Sequence, residues 1–190
     1  MEKLASVLAR YICSHSEGSD FSYDVYRYSF LMLLEMAAGS VTGVLIAAYM
    51  AVLVEAAAFL LVFFLLRSYA GGLHCRTFLG CYFASTSILA GAFWLVKHWE
   101  AGPYISLAMI VVFGGLLAFL NGCDSKNRPV SSEEAMCFKK KLHRILAVTF
   151  ILYLAFLILG YGQCALSVSL AVAASGLLMV IGKWKTNEKT

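Results

Sequence analysis

The stretch ILAVTFILYLAFLILGYGQCALSVSLAVAASGLLMVIG, residues 145–182, contains no Asp, Glu, Lys or Arg. A helix needs about 20 apolar residues to cross a bilayer, so this run is too long for one crossing and long enough for two. Gly160-Tyr161-Gly162-Gln163 interrupts it, and glycine and glutamine together mark a turn between helices. Upstream, residues 36–54, 77–96 and 101–123 are also free of charged side chains. The block from Tyr28 to Leu66 carries only Glu35 and Glu55, which leaves room for two spans joined by a tight turn near Tyr49. The sequence therefore predicts six spans, near 29–48, 50–66, 80–97, 103–121, 144–160 and 164–182.

Composition agrees with that reading. The 190-residue chain is 61% hydrophobic and 14% charged, with a mean hydropathy of +0.80. A soluble domain has about 25% charged residues, and a disordered chain is richer still in polar groups. The net charge of +4 is too small for a nucleic-acid binder, so none is expected. With six spans, every Lys and Arg except Lys97 falls on one side, together with both termini. Positive charge collects on the cytoplasmic side, so the expectation is a multi-pass protein of the cell membrane with both termini cytoplasmic. No removable signal peptide is expected, since the first long apolar run starts near residue 29.

The chain divides into residues 1–27 and a polytopic membrane domain, residues 28–190. In the first part Leu4, Val7, Leu8, Tyr11 and Ile12 fall at helical spacing, with Lys3 and Arg10 off the stripe. That pattern predicts an amphipathic helix lying on the inner membrane surface, against lipid. The second part holds one sizeable polar segment, 122–143, which reads as a basic loop facing lipid headgroups or docking an acidic partner.

Six cysteines are present: Cys13, Cys75, Cys81, Cys123, Cys137 and Cys164. Five lie at the cytoplasmic face by this topology, and none forms a CxxC pair, so no disulfide framework is expected. His74, Cys75, Cys81 and Cys123 lack the close pairing of metal ligands, so neither metal nor cofactor is expected.

The segment Arg67-Ser68-Tyr69-Ala70-Gly71-Gly72-Leu73-His74-Cys75-Arg76-Thr77-Phe78-Leu79-Gly80-Cys81 joins spans two and three. In one straight helix His74 and Cys81 would be about 10 Å apart along the axis, so they meet only if the chain bends. The glycine pair permits that bend. Thr77 as N-cap would put Cys81 near the first turn of span three, where the helix dipole and Arg76 favour a thiolate. The plain alternative is a histidine anchored at the interface and a cysteine filling apolar space. Cys75 is the competing nucleophile.

Arg-x-x-Ala-Gly-Gly-x-His, followed by Cys seven residues after the His, resembles the AgrB (accessory gene regulator protein B) family of membrane-embedded cysteine endopeptidases from Gram-positive bacteria. Tyr26-Arg27-Tyr28 with Glu35, Cys81-Tyr82 with Ser85, and the loop Asp124-Ser125-Lys126-Asn127-Arg128-Pro129-Val130 followed by Lys139-Lys140-Lys141 are also similar. Asn121-Gly122 departs from the Ala-Pro that family members often carry before that loop, and Cys75 stands where they usually have a smaller residue.

The resemblance implies an all-α integral membrane enzyme with its active site at the cytoplasmic face, Cys81 as nucleophile and His74 as base. It implies a substrate of the AgrD type, trimmed of its acidic tail and closed into a cyclic thiolactone used in quorum sensing. The basic residues Lys126, Arg128, Lys139, Lys140 and Lys141 suit that tail. Glu35 either orients the imidazole or makes an interhelical hydrogen bond to Ser or Thr. Arg67 and Arg76 either orient substrate carboxylates or anchor helix ends, and Ser85 lies one turn beyond Cys81. A homodimer is compatible with the exposed spans. The competing classes are a small-peptide exporter and a non-enzymatic scaffold. An exporter would place polar residues at the midplane, whereas this chain gathers them at one interface.

Overall fold

The computed structural model describes residues 2–15, 23–70, 78–120 and 132–187. Among the described residues there are seven helices and no strand: α1 Glu2–His15, α2 Tyr23–Met50, α3 Leu53–Ala70, α4 Phe78–His98, α5 Pro103–Phe119, α6 Ser132–Ile158 and α7 Gly162–Asn187. Four segments are long and apolar enough to cross a membrane: Tyr23–Met50, Leu79–His98, Met136–Ile158 and Gly162–Trp184. The apolar helix α5 is shorter. These helices mark a multi-pass membrane protein.

Two tight turns share one device. After α2, Ala51 takes a left-handed conformation (φ 60°), Ala51 N–H bonds Ala48 O at 3.2 Å, and Val52 N–H bonds Ala47 O at 3.0 Å. After α6, Gly160 has φ 80°, with Gly160 N–H to Leu157 O at 3.1 Å and Tyr161 N–H to Phe156 O at 2.8 Å. Both close the last carbonyls of a helix that would otherwise be orphaned in lipid. The second turn falls where Gly160-Tyr161-Gly162-Gln163 predicts it, and the first lies two residues beyond Tyr49. Pro103 opens α5, where its missing N–H costs nothing.

Helix α7 is the hub. Residues 164–173 are all buried, and α3, α4, α5 and α6 each pack against α7. Small side chains allow this approach: a Cβ on Gly176 would sit 3.1 Å from Phe113 Cδ1 of α5. At the other end of the same bundle, Tyr153 of α6 is fully buried, and its hydroxyl meets Ser106 Oγ at 2.9 Å and donates to Pro103 O at 3.2 Å. That ties α6 to the first turn of α5. Helix α2 lies outside α3 and α4, and its buried stripe is Glu35, Gly39, Gly43 and Ala47. Outward-facing Leu33, Val41, Leu45, Val111, Val112, Val148 and Ile151 leave an apolar surface suited to lipid.

Two helices begin ahead of the spans read from the sequence, and one helix face differs. Helix α2 begins at Tyr23, inside the 1–27 segment. Helix α6 begins at Ser132, so the second half of the expected 122–143 loop is helical. Glu133, Ala135, Met136, Lys139 and Leu142 are all good helix formers, and hydropathy marks where a bilayer ends, not where a helix ends. Helix α1 packs on α2 through fully buried Ala5 and Ala9, while Leu4, Val7 and Tyr11 of the expected stripe face outward and Leu8 and Ile12 are half-buried.

Candidate functional site

One contact layer fixes the depth of everything below it. A Cβ on Gly43 would lie 3.1 Å from Leu89 Cδ1 of α4 and 3.6 Å from Leu60 Cδ2 of α3. Helices α2 and α4 run in the same direction, and α3 runs opposite. Two turns from that layer toward the basic end, about 10–12 Å along the axes, come Glu35 on α2, Cys81 on α4 and Arg67 on α3. The last two do meet: Arg67 Nη2 lies 3.9 Å from Cys81 Sγ. Arg67 of α3 and Cys81 of α4 thus meet across two helices, while Glu35 lies two turns from Gly43 along α2.

Cys81 is buried, at 4% exposure, in the first turns of α4, where backbone dipoles favour negative charge. Arg67 is half-buried and its guanidinium carbon lies 6.0 Å from the centre of the Phe63 ring, one turn deeper in α3. Glu35 is buried on the α2 stripe and makes no hydrogen bond to Ser or Thr among the described residues. Ser85 is half-buried one turn beyond Cys81.

Tyr82 clamps the seam between α2 and α4. The Thr42 hydroxyl donates to Ala38 O at 3.0 Å, so across their 2.7 Å contact the Tyr82 hydroxyl is the donor to Thr42 Oγ1. One turn on, Thr86 Oγ1 is buried without a hydrogen-bond partner among the described residues. The sequence reading quoted Tyr82 and missed this role, since nothing in a spacing pattern pairs positions on two different helices.

The basic run reaches the same end of the bundle. Tyr69, two residues beyond Arg67, lies against Phe138 with ring centres 6.0 Å apart and planes tilted by 50°, and Lys141 Nζ lies 6.0 Å from the Tyr69 ring centre. Lys139, Lys140 and Lys141 are exposed on the first turns of α6. His74, Arg76, Cys75, Lys126 and Arg128 lie outside the described residues. Among the described residues no group of three or more His, Cys, Asp or Glu side chains converges as metal ligands would.

The family model AgrB, Accessory gene regulator B, matches residues 2–183. The chain belongs to the AgrB family. AgrB proteins process AgrD in quorum sensing, so an AgrD-like peptide is the partner that membership implies. Neither a search of curated proteins nor a search of solved structures gives a match. The match to the AgrB model runs from α1 to the C-terminal part of α7, and so takes in Glu35, Arg67 and Cys81.

Proposed function

We propose that this chain is a membrane cysteine endopeptidase that removes the C-terminal tail of an AgrD-like precursor and closes the remainder into a cyclic thiolactone. The single observation that supports it most is a buried cysteine near the start of α4 with a guanidinium 3.9 Å from its sulfur. Reactive cysteines sit in electropositive surroundings.

The six-span topology belongs to this proposal. Helices α3 and α5 cross alongside the four longer ones, and the end carrying Arg67, Lys139–Lys141 and Lys183 is cytoplasmic. Helix α1 rests on that surface, with Leu4, Val7 and Tyr11 turned toward lipid or the leader of the precursor.

In the reaction, the Cys81 sulfur attacks the carbonyl that precedes the tail. The electron pair moves to oxygen, and helix-terminal N–H dipoles of α4 stabilise the oxyanion. His74 acts as the acid–base group and delivers a proton to the departing amine as the C–N bond breaks. The resulting thioester is then attacked by the precursor's own cysteine thiolate, which releases Cys81 and forms the ring. Thioester exchange is nearly balanced, whereas amide to thioester is uphill, so removal of the cleaved tail drives the sequence. The apolar surroundings of Cys81 keep water from the acyl-enzyme. Glu35, Ser85, Arg67 and Arg76 are its supporting residues in this reading, and Lys126, Arg128 and Lys139–Lys141 attract the acidic tail.

The test is intact-mass analysis of a candidate precursor incubated with the purified protein in liposomes, with Cys81→Ala and Cys75→Ala alongside. A product lacking the tail and one water lighter than the linear fragment, formed by wild type and Cys75→Ala only, supports peptidase and cyclase together. Cleavage by Cys81→Ala refutes the assignment. Movement of the peptide across the membrane without Cys81-dependent cleavage would instead establish the exporter.

A further inference from the structure

Two glycines in this bundle are set by close packing: a Cβ on Gly43 or on Gly176 would lie 3.1 Å from a side chain of the next helix. Gly114 and Gly115 of α5 are different. A Cβ on Gly115 would meet nothing within 4 Å, and one on Gly114 would meet only Val172 Cγ1, at an ordinary 3.9 Å. Each glycine costs a helix interior up to about 1 kcal/mol against alanine, and no packed neighbour requires it here. The pair instead opens a groove. Helices α5 and α6 both pack on α7, and between them lies a cavity of about 170 Å³, with Gly114 and Gly115 on one side, Thr149 on the other and Val172 of α7 at its base. Val111 and Phe150 also line it and are exposed on the outside of the bundle, so the groove is continuous with the lipid-facing surface.

The lining residues fall near the middle of α5 and of the spans Met136–Ile158 and Gly162–Trp184. With α5 crossing alongside the longer spans, the groove lies at the bilayer midplane, where the ends of acyl chains meet. No acidic or basic side chain lines it, and its one polar side chain, Thr149, is buried. An apolar cavity of this size stays dry and takes a hydrocarbon of about six carbons. A helix, at roughly 10 Å across, is too wide to enter. Left empty, the groove would forfeit the dispersion contacts of its walls. We infer that it binds the terminal segment of one acyl chain of a membrane lipid. The chain fills the space that side chains at Gly114 and Gly115 would take, and joins α5 to α6 through lipid. The inference rests on the six-span topology and is independent of the peptidase chemistry.

Photolabelling of the full-length protein in liposomes tests it, using a phosphatidylcholine with a diazirine near the end of one chain and residue-resolved mass spectrometry. Val112 on α5 and Val41 on α2 are exposed outside the groove and report ordinary lipid contact. The expected result is labelling of the groove residues severalfold above both at low probe content, saturating as the probe is raised. It should be lost in Gly115→Leu and in Val111→Phe, which fill the groove from two positions. Val112 keeps its label in both variants, which shows that they are folded and inserted. Groove labelling no stronger than that of Val112, or unchanged in both variants, overturns the inference. So does an unlabelled groove together with a disulfide-linked dimer of Gly115→Cys, which would give the site to a second copy of the chain. A wrong topology is seen separately: if α5 does not cross, Val112 is unlabelled too, and the inference falls with the topology.

Discussion

Replacing Gly43 by leucine probes the layer in which α2 packs on α3 and α4. A Cβ at this position would lie 3.1 Å from Leu89 Cδ1 and 3.6 and 3.8 Å from the two terminal methyls of Leu60. Carbon atoms pack comfortably at roughly 3.5–4.0 Å. Even a methyl group therefore requires Leu89 to yield by a few tenths of an ångström, and Leu89 is only 2% exposed. Alanine recovers up to about 1 kcal/mol of helix propensity, comparable to that small clash, so Gly43→Ala comes out near neutral. Leucine puts three further carbons into filled space, and overpacking of this kind costs about 1–3 kcal/mol. At roughly 2–4 °C per kcal/mol for a chain of this size, the middle of that range lowers the unfolding midpoint by about 4–8 °C. Thermal unfolding in lipid nanodiscs, followed by tryptophan fluorescence, measures it. Gly39→Ala is the matched control: it lies one turn away on the same buried stripe, with no atom within 4 Å of the added Cβ. It should hold the midpoint or raise it by the gain in propensity. Well below its midpoint, Gly43→Leu should still lose most peptide cleavage, because α2 is levered off α4 and Glu35 moves with it. An unchanged midpoint in Gly43→Leu, or equal damage from Gly39→Ala, would refute the layer.

Gly160→Ala should cost about 1–2 kcal/mol in denaturant titrations, because alanine is strained at φ 80°, whereas Ala51→Gly should relieve a similar strain at φ 60° and come out neutral to stabilising. Tyr153→Phe should cost only about 0.5–1.5 kcal/mol by the same assay, since Ser106 Oγ still donates to Pro103 O at 3.0 Å; a loss above about 3 kcal/mol would mean the hydroxyl serves something else. Changing Lys139, Lys140 and Lys141 together to glutamine should raise KM for a precursor with an acidic tail several-fold and leave kcat unchanged. The difference from wild type should vanish near 1 M salt, where charges are screened within about 3 Å.

What could be read from the sequence followed the solvent. Apolar runs and glycine breaks gave the helices and their turns, because a bilayer tolerates neither charge nor unpaired backbone. Helix α6 ran past its expected start because Lys139, Lys140 and Lys141 leave the bilayer without leaving the helix. The depth of Glu35 could be estimated from its place in the first span. The face it shares with Gly39 and Gly43 could not be read, since all sides of α2 are apolar. The approach of Arg67 to Cys81 depends on how two helices are rotated against each other across a connecting segment, and spacing along the chain does not encode that rotation. The central place of α7 was hidden for a different reason: its Ala, Ser and Gly residues score as middling hydropathy, whereas their real signal is size.

That central helix also has a consequence for biogenesis. Helices α3, α4, α5 and α6 all leave the ribosome before α7, which each of them packs against. Until residues 162–187 have been synthesised and inserted, α3, α4, α5 and α6 lack the helix that all four pack against. A chain truncated after α6 would be inserted but unassembled, a natural target for membrane quality control.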